Sequence, residues 1–187
     1  IDNSAGVDCS DHEVNIKILL NHAMRDGKLS GQQRNDLLST MSDEVAELVL
    51  ASNVKQNCSI SLAVSESLKY LNLYQRYMTE QEEMGALTRE VFDLPSDKVL
   101  MDRKSQGIGL TRPEVAVLMA HTKNQLKSYI VASELLDDPY LACYIELAFP
   151  RLLRTKYRSY MDQHKLSREI IATQLSNNVV NDMGGNF

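Results

Sequence analysis

Apolar residues recur along this chain at the spacing of helix turns, and this pattern limits the fold more than any other feature. The clearest set lies at positions i, i+3, i+4 and i+7, namely Ile16, Leu19, Leu20 and Ala23. That spacing places these side chains on one side of a helix. No alternating apolar run is long enough to predict a sheet. We therefore predict an all-α fold, an irregular bundle of about eight helices.

Capping residues and prolines indicate where those helices begin. Ser10 and Glu13 have the spacing of a capping box, in which each side chain satisfies a backbone N–H at a helix start. Residues 111–114 give the strongest start, because the threonine caps and the proline sits where its missing N–H costs nothing. A break is expected at the polar residues 56–57. Further starts are predicted at Ser30, Ser42, Pro150 and Ser167, and a helix is expected to restart at residues 94–96 and again at residues 137–139.

Charge and cysteine usage exclude several classes of function. The chain has 20 Lys and Arg against 25 Asp and Glu, so its net charge of −5 gives no basic footprint for nucleic acid. No apolar run approaches the ~20 residues that span a bilayer. Cys9, Cys58 and Cys143 are odd in number and far apart, which argues against a disulfide framework. We therefore expect a cytoplasmic protein that binds neither nucleic acid nor membrane.

Motifs for metal or nucleotide chemistry are weak. The histidines show neither an H-E-x-x-H spacing nor a partner four positions away, so we predict no metal site. Residues 107–109, Gly-Ile-Gly, lack the third glycine, the preceding strand and the later acidic residue of a dinucleotide fingerprint. We predict a loop there and not a phosphate cradle.

A basic run leaves two interpretations open. It comprises Arg151, Arg154, Lys156 and Arg158. An anion site is one interpretation. The acidic residues Glu146, Asp162 and Glu169 lie close to it in sequence and favour the other, which is a solvated face or a contact between helices.

Residues 3–10 are the one stretch that suggests chemistry. They read as a turn of small and polar residues that leads into the N-terminus of a helix. Such an N-terminus presents unpaired N–H groups and a partial positive charge, so it favours an anion. The Ser10 hydroxyl could add a hydrogen bond there, and the alternative is that Ser10 is only a cap.

Three sequence blocks resemble large bacterial NAD-specific glutamate dehydrogenases. They are residues 2–20, residues 109–118 and residues 168–173. The first block resembles the run that follows the cofactor domain of that family, and the order of the blocks also agrees. The resemblance implies that residues 1–10 are a short loop left over from the cofactor domain, at the tail end of the cofactor and substrate cleft region. Residues 11–187 would then be a C-terminal helical domain. Because Ile1 is not a start methionine, we expect an excised segment of a longer chain.

The first block also resembles a turn of the smaller glutamate dehydrogenases. That turn reads Asn-Ala-Gly-Gly-Val, then two residues and a serine, and Asn3, Gly6, Val7 and Ser10 match it. The resemblance implies that Asn3 lies near the nicotinamide carboxamide and that Val7 lines the pocket around the substrate's carbon chain. It further implies that Ser10 hydrogen-bonds the side-chain carboxylate of glutamate. The sequence departs from the family pattern at Ser4, Ala5 and Asp8.

The resemblance implies an activity for the parent chain. That activity is oxidation of L-glutamate by NAD and water to 2-oxoglutarate, ammonia and NADH. The family's catalytic lysine and aspartate motifs match nothing here, so we expect no catalytic residue in this segment and no activity from it alone. NAD is expected to bind mainly to the upstream domain of a homo-oligomeric parent, with the helices serving packing or assembly. The alternative is a free-standing helical interaction or scaffold module, and an amino-acid-binding regulatory domain ranks last.

Overall fold

The computed structural model describes the backbone of residues 2–184 and the side chains of residues 5–184. Over that range it contains α-helices and two 3₁₀ helices, without a strand, and eight of these helices have seven or more residues. The α-helices are α1 (Asp2–Arg25), α2 (Gly31–Thr40), α3 (Ser42–Glu66), α4 (Leu71–Glu83), α5 (Asp97–Ser105), α6 (Arg112–Ala132), α7 (Arg151–Lys156), α8 (Arg158–Asp162) and α9 (Ser167–Met183). The 3₁₀ helices are Glu134–Asp137 and Pro139–Ala148. The predicted all-α fold is confirmed, and no described helix is long and apolar enough to cross a membrane.

Several helices begin at the capping residues that the sequence indicated. Ser30 and Gln33 form both bonds of a capping box before α2, Gln33 N to Ser30 Oγ at 3.2 Å and Ser30 N to Gln33 Oε1 at 2.9 Å. Ser96 accepts a hydrogen bond from Val99 N before α5, and Asp138 caps the second 3₁₀ helix. The other predicted starts that are confirmed are Ser42 for α3, Pro150 for α7 and Ser167 for α9.

The predicted short loop before the first helix is wrong over residues 2–10. α1 begins at Asp2 and continues without a break to Arg25, so Ser10 lies inside a helix and not at its start. The expected capping box is therefore absent, and Glu13 pairs with Lys17 instead. The packed half of α1 already supplies a helix nucleus, so its extension needs no second nucleation. The roughly 1 kcal/mol cost of one glycine does not end such a helix.

The predicted break at residues 56–57 is also wrong, because α3 runs unbroken through both residues. Asn57 there accepts hydrogen bonds from Arg112 at the start of α6, at its Oδ1 (2.7 Å) and at its backbone oxygen (3.3 Å). Arg112 also donates to Ser61 Oγ at 2.7 Å, one turn further along α3. The polar residues thus hold another helix in place and do not interrupt their own.

The chain forms two compact units, which are described separately. The first comprises Ile1–Lys55 and Leu126–Asn177, and the second comprises Gln56–Gln125 and Asn178–Phe187. The core of the first unit includes the apolar stripe predicted for α1, since Ile16, Leu19, Leu20 and Ala23 are all nearly inaccessible to solvent. The same core holds Phe149, Leu153 and Met161 from the second 3₁₀ helix onwards. The periodicity of the sequence therefore identified the correct buried face of α1.

In the second unit, a close approach explains the second glycine of the Gly-Ile-Gly loop. A Cβ on Gly109 would lie 2.2 Å from Ser67 Oγ and 2.7 Å from Leu68 N. Ser67 is buried, and its Oγ accepts a hydrogen bond from Leu110 N at 2.9 Å. Gly109 therefore lets the loop before α6 lie directly against the end of α3.

Arg89 ties together the irregular segment between α4 and α5. Its side chain, only 9% exposed, lies 2.9 Å from Glu82 Oε2 and 2.6 Å from Asp97 Oδ1. It also donates to Thr79 Oγ1 at 2.8 Å and to the Pro95 carbonyl at 3.2 Å. One buried guanidinium thus joins both helices and the segment between them.

Glu114 completes the start of α6. Its carboxylate accepts hydrogen bonds from Arg103 Nη1, at 2.9 Å to Oε1 and 2.8 Å to Oε2. Oε2 also accepts one from the Thr111 backbone N–H at 2.7 Å. Burial by itself would raise the pKa of Glu114, but the hydrogen bonds from Arg103 and Thr111 outweigh burial and lower the pKa below its usual value. The ionised carboxylate is therefore the form that stabilises this corner of the second unit.

We expect Gly109→Ala to lower the free energy of unfolding by about 1–3 kcal/mol, because the new methyl group overpacks a site closed by backbone and by a buried hydroxyl. Urea unfolding of the purified chain measures the change. The matched control is Gly6→Ala, where a Cβ meets nothing within 4 Å. Because Gly6 lies in the interior of α1, that control should raise stability by up to about 1 kcal/mol. Equal effects of the two substitutions would contradict this account.

We expect Glu114→Gln to cost about 1.5–3 kcal/mol at neutral pH, since it weakens charge-assisted hydrogen bonds. The folded pKa of Glu114 is depressed, so its contribution is present above the ordinary value of 4.5 and is lost as pH falls through the folded value. The difference between wild type and variant should therefore shrink below pH 4.5 in urea unfolding followed against pH. Glu80→Gln, which removes an exposed partner of Arg76, is the control and should change stability by less than about 0.5 kcal/mol. A pH-independent difference at Glu114 would contradict the assignment.

Candidate functional site

The residues predicted to contact substrate and cofactor lie on one face of α1. Asn3, Val7 and Ser10 are at positions i, i+4 and i+7 of this helix, which is the spacing of a single stripe. The side chain of Asn3 lies outside the described residues, so only its helical position is known. Val7 is 61% exposed, and Ser10 is exposed as well. The structure therefore brings the predicted residues to a common face, through a helix that the sequence interpretation did not expect.

This face is opposite to the one that enters the core. Residues in an α-helix follow one another at 3.6 per turn, which places Val7 and Ser10 across the helix axis from Leu19 and Ala23. Val14, 46% exposed, continues the same outward stripe one turn beyond Ser10. The buried side of α1 packs into the core, and the outward stripe is the side that remains exposed.

Ser10 has a free hydroxyl in the described part of the chain, where no hydrogen bond to its side chain occurs. The backbone N–H groups around it belong to the interior of a continuous helix and are bonded four residues back. The prediction that a helix N-terminus near residue 10 attracts an anion is therefore wrong. Any contact that Ser10 makes with a carboxylate must come from the hydroxyl itself.

Asp8 differs in character from its neighbours on α1. It is half-buried, and its Oδ2 atom is shielded from solvent without a hydrogen-bond partner among the described residues. The sequence identified Asp8 only as a departure from the family pattern. At 3.6 residues per turn, Asp8 lies on a different side of α1 from Val7 and Ser10.

Two of the four cations of the basic run at residues 151–158 are held by contacts with neighbouring groups. Arg154 Nε donates to the Phe149 carbonyl at 2.6 Å, and Arg158 Nε lies 2.6 Å from Glu146 Oε1. Arg158 also pairs with Asp162 on α8. Arg151 and Lys156 are exposed, which agrees with the interpretation as a solvated face for this half of the run.

A small cleft of about 180 Å³ lies in the first unit, between α1 and the segment that follows α8. From α1 it is lined by Ile18, Leu19, Asn21, His22 and Arg25, and on the other side by Tyr160 of α8 and by Gln163, His164 and Lys165, which follow α8. The sequence interpretation missed this cleft. The only signal in the sequence was the pair of basic residues His22 and Arg25 in the last turn of one helix. Lys165 is too distant in sequence for a local pattern to connect it with them.

Hydrogen bonds at both ring nitrogens hold His164 in the wall of this cleft. Its Nδ1 accepts from Leu166 N at 3.1 Å, and its Nε2 donates to the Asn15 carbonyl at 3.1 Å. Burial lowers the pKa of His164 below its usual value. The ring is therefore a neutral and fixed part of the wall. The described residues contain no group of three or more His, Cys, Asp or Glu that could hold a metal ion.

Comparison with known proteins gives one consistent family. Residues 1–63 match the model of the bacterial NAD-glutamate dehydrogenase catalytic domain, and residues 107–187 match the model of the glutamate dehydrogenase C-terminal region. The first match extends well beyond α1 and ends at residue 63, within α3.

Individual relatives agree with this result. The chain is 47% identical over 187 residues to an NAD-specific glutamate dehydrogenase of Pseudomonas aeruginosa, and 45% identical over 184 residues to one of Halomonas elongata. A third, from Mycobacterium tuberculosis, is 41% identical over 184 residues. These matches cover 98–100% of this chain but only 11–12% of the relatives' length. The chain therefore belongs to the NAD-specific glutamate dehydrogenase family, as a segment of the much longer chain of that family.

Proposed function

We propose that this chain is the helical segment that completes the substrate pocket of an NAD-specific glutamate dehydrogenase. The parent would convert L-glutamate, NAD and water to 2-oxoglutarate, ammonia and NADH. The match of residues 1–63 to a catalytic-domain model supports this proposal. So do relatives of this name that match almost the whole chain. The free-standing scaffold alternative has no comparable support.

The main support for the proposal is the outward stripe of α1, formed by the positions of Asn3, Val7 and Ser10. Val7 and the free hydroxyl of Ser10 face away from the core of their own unit, and the position of Asn3 lies on the same stripe. In our proposal this stripe faces the cofactor-binding part of the parent. Ser10 would donate to the substrate's side-chain carboxylate, Val7 would contact its carbon chain, and Asn3 would lie beside the nicotinamide.

The rest of the segment would serve packing and assembly. In our proposal residues 1–10 belong to the cleft region and residues 11–187 to the C-terminal helical domain, within a cytoplasmic homo-oligomer. NAD would be held mainly by the part of the parent outside this segment. The described helices offer many exposed apolar side chains for such contacts, among them Leu50, Leu62, Val91 and Met101.

We expect Ser10→Ala in the full-length parent to lower kcat/KM for glutamate about 10- to 150-fold. A hydrogen bond to a charged group contributes roughly 1.5–3 kcal/mol, and its loss converts into a fall of that size. Steady-state NADH formation measures the effect. The substitution should not harm folding, because Ser10 is exposed in a helix interior, where alanine is the better helix former.

The matched control is Ser39→Ala, which makes the same change at an exposed position of α2. It should leave kcat/KM unchanged. An active parent that tolerates both substitutions equally would remove Ser10 from the substrate pocket. A wild-type parent without any NAD-linked glutamate oxidation would refute the proposed function as a whole.

The isolated 187-residue chain should form no NADH from glutamate and NAD, because the described helices include no dinucleotide-binding fold. The measurement is absorbance at the NADH band over hours at high protein concentration, with the active parent as the positive control. Sustained NADH formation by the purified chain would show that the chemistry resides in this segment after all.

A further inference from the structure

The cleft between α1 and the segment after α8 has a one-sided charge. Its lining contains Arg25, His22 and Lys165 and not a single Asp or Glu. Acidic residues outnumber basic ones in the whole chain, by 25 to 20. The lining, with two permanent cations and no acidic residue, is therefore positively charged although the chain as a whole is negative. Such a lining favours the binding of anions over cations.

Neither Arg25 nor Lys165 is paired with a carboxylate in the described part of the chain. Among the described residues, no ion pair within 4.0 Å involves Arg25 or Lys165, whereas Arg158 nearby has two acidic partners. Burial and the nearby Asp26 carboxylate raise the pKa of Tyr160, so one acidic residue lies beside the cleft, although Asp26 is not part of the lining. Arg25 and Lys165 thus keep their hydrogen-bond donors available to a ligand.

The remaining walls are rigid and rich in donors. His164 is fixed by its two hydrogen bonds, and its ring contacts Phe149 edge-on at 5.7 Å. The His22 ring meets the Tyr160 ring edge-on at 5.1 Å. The amide side chains of Asn21 and Gln163 supply further N–H donors at the rim. A preorganised wall lowers the entropy cost of holding a small ligand.

The size of the cleft limits what it can hold. Its volume of about 180 Å³ is below the roughly 300–1,000 Å³ of sites for drug-sized ligands. A dinucleotide is therefore too large, and a small ion or metabolite fits. Along α1, twelve residues separate Ser10 from His22, which corresponds to about 18 Å of helix. The cleft is thus distinct from the proposed glutamate contact.

We propose that this cleft binds one small oxyanion, a carboxylate or a phosphate, between Arg25 and Lys165. The guanidinium of Arg25 presents a planar fork that matches two oxygen atoms, and Lys165 supplies a point charge from the opposite wall. The C-terminal end of α1 carries a partial charge of roughly −0.5, which the two cations together outweigh. The two cations come from segments distant in sequence, so the site exists only in the folded unit.

The test is calorimetric titration of the full-length parent with inorganic phosphate and, separately, with succinate, against a chloride background. We compare wild type with Arg25→Gln/Lys165→Gln. Removing two charge-assisted contacts should weaken binding by at least about tenfold. The control pair Arg151→Gln/Lys98→Gln removes the same charge from exposed positions outside the cleft and should bind as wild type.

A further variant tests the role of the fork. Arg25→Lys keeps the charge but loses the planar donor pair, so it should bind more weakly than wild type and more tightly than the double variant. Saturable binding of either ion that follows this order supports the site, and the ion that binds identifies the anion class. Binding that is equal in wild type and double variant, or no saturable binding of either ion, overturns it. Glutamate oxidation is not the readout, so a wild-type parent that is active but binds neither ion refutes the cleft alone.

Discussion

The burial of one side of α1 is the interaction on which the first unit depends. Leu19, Leu20 and Ala23 are almost completely inaccessible to solvent, and they share a core with Phe149 and Met161 from residues more than a hundred positions later. Complete burial of a leucine side chain contributes about 1.5–3 kcal/mol. The described side chains of the first half, residues 5–13, make no comparable contribution, since they are mostly small or polar and mostly exposed. The packed half therefore sustains a helix that residues 2–10 could not maintain alone.

That same burial fixes the position of the candidate site. Once the core side of α1 is set, helix geometry determines which residues point away from it, and Val7, Ser10 and Val14 do. The core thus sets the rotation of the helix, and the rotation leaves the Ser10 side chain exposed. The cleft beside His22 depends on the same rotation, because its α1 lining lies at the junction between the buried and the exposed sides.

The sequence predicted the helices well because their signals are local. The periodic stripe of α1 and the capping box at Ser30 each lie within one or two turns, so the pattern and its cause occupy the same few residues. The start of α1 was predicted wrongly because small polar residues are compatible with both a turn and a helix. The residues of the candidate site came from family resemblance and not from spacing. The cleft could not be predicted, because Arg25 and Lys165 meet only in the folded chain.

The ion pairs of Arg89 anchor the surface segment between α4 and α5 to both helices. Val91 and Phe92 are exposed there, yet Arg89 is joined to both flanking helices, and the Leu94 N–H is bonded to the Arg89 carbonyl at 2.9 Å. Opening the segment would expose a buried guanidinium and break several bonds at once. Many proteases cleave only extended backbone. The apolar side chains here would suit such a protease, but the bonds of Arg89 oppose the local unfolding that cleavage requires. The segment offers a hydrophobic surface without the susceptibility to cleavage that usually accompanies an exposed loop.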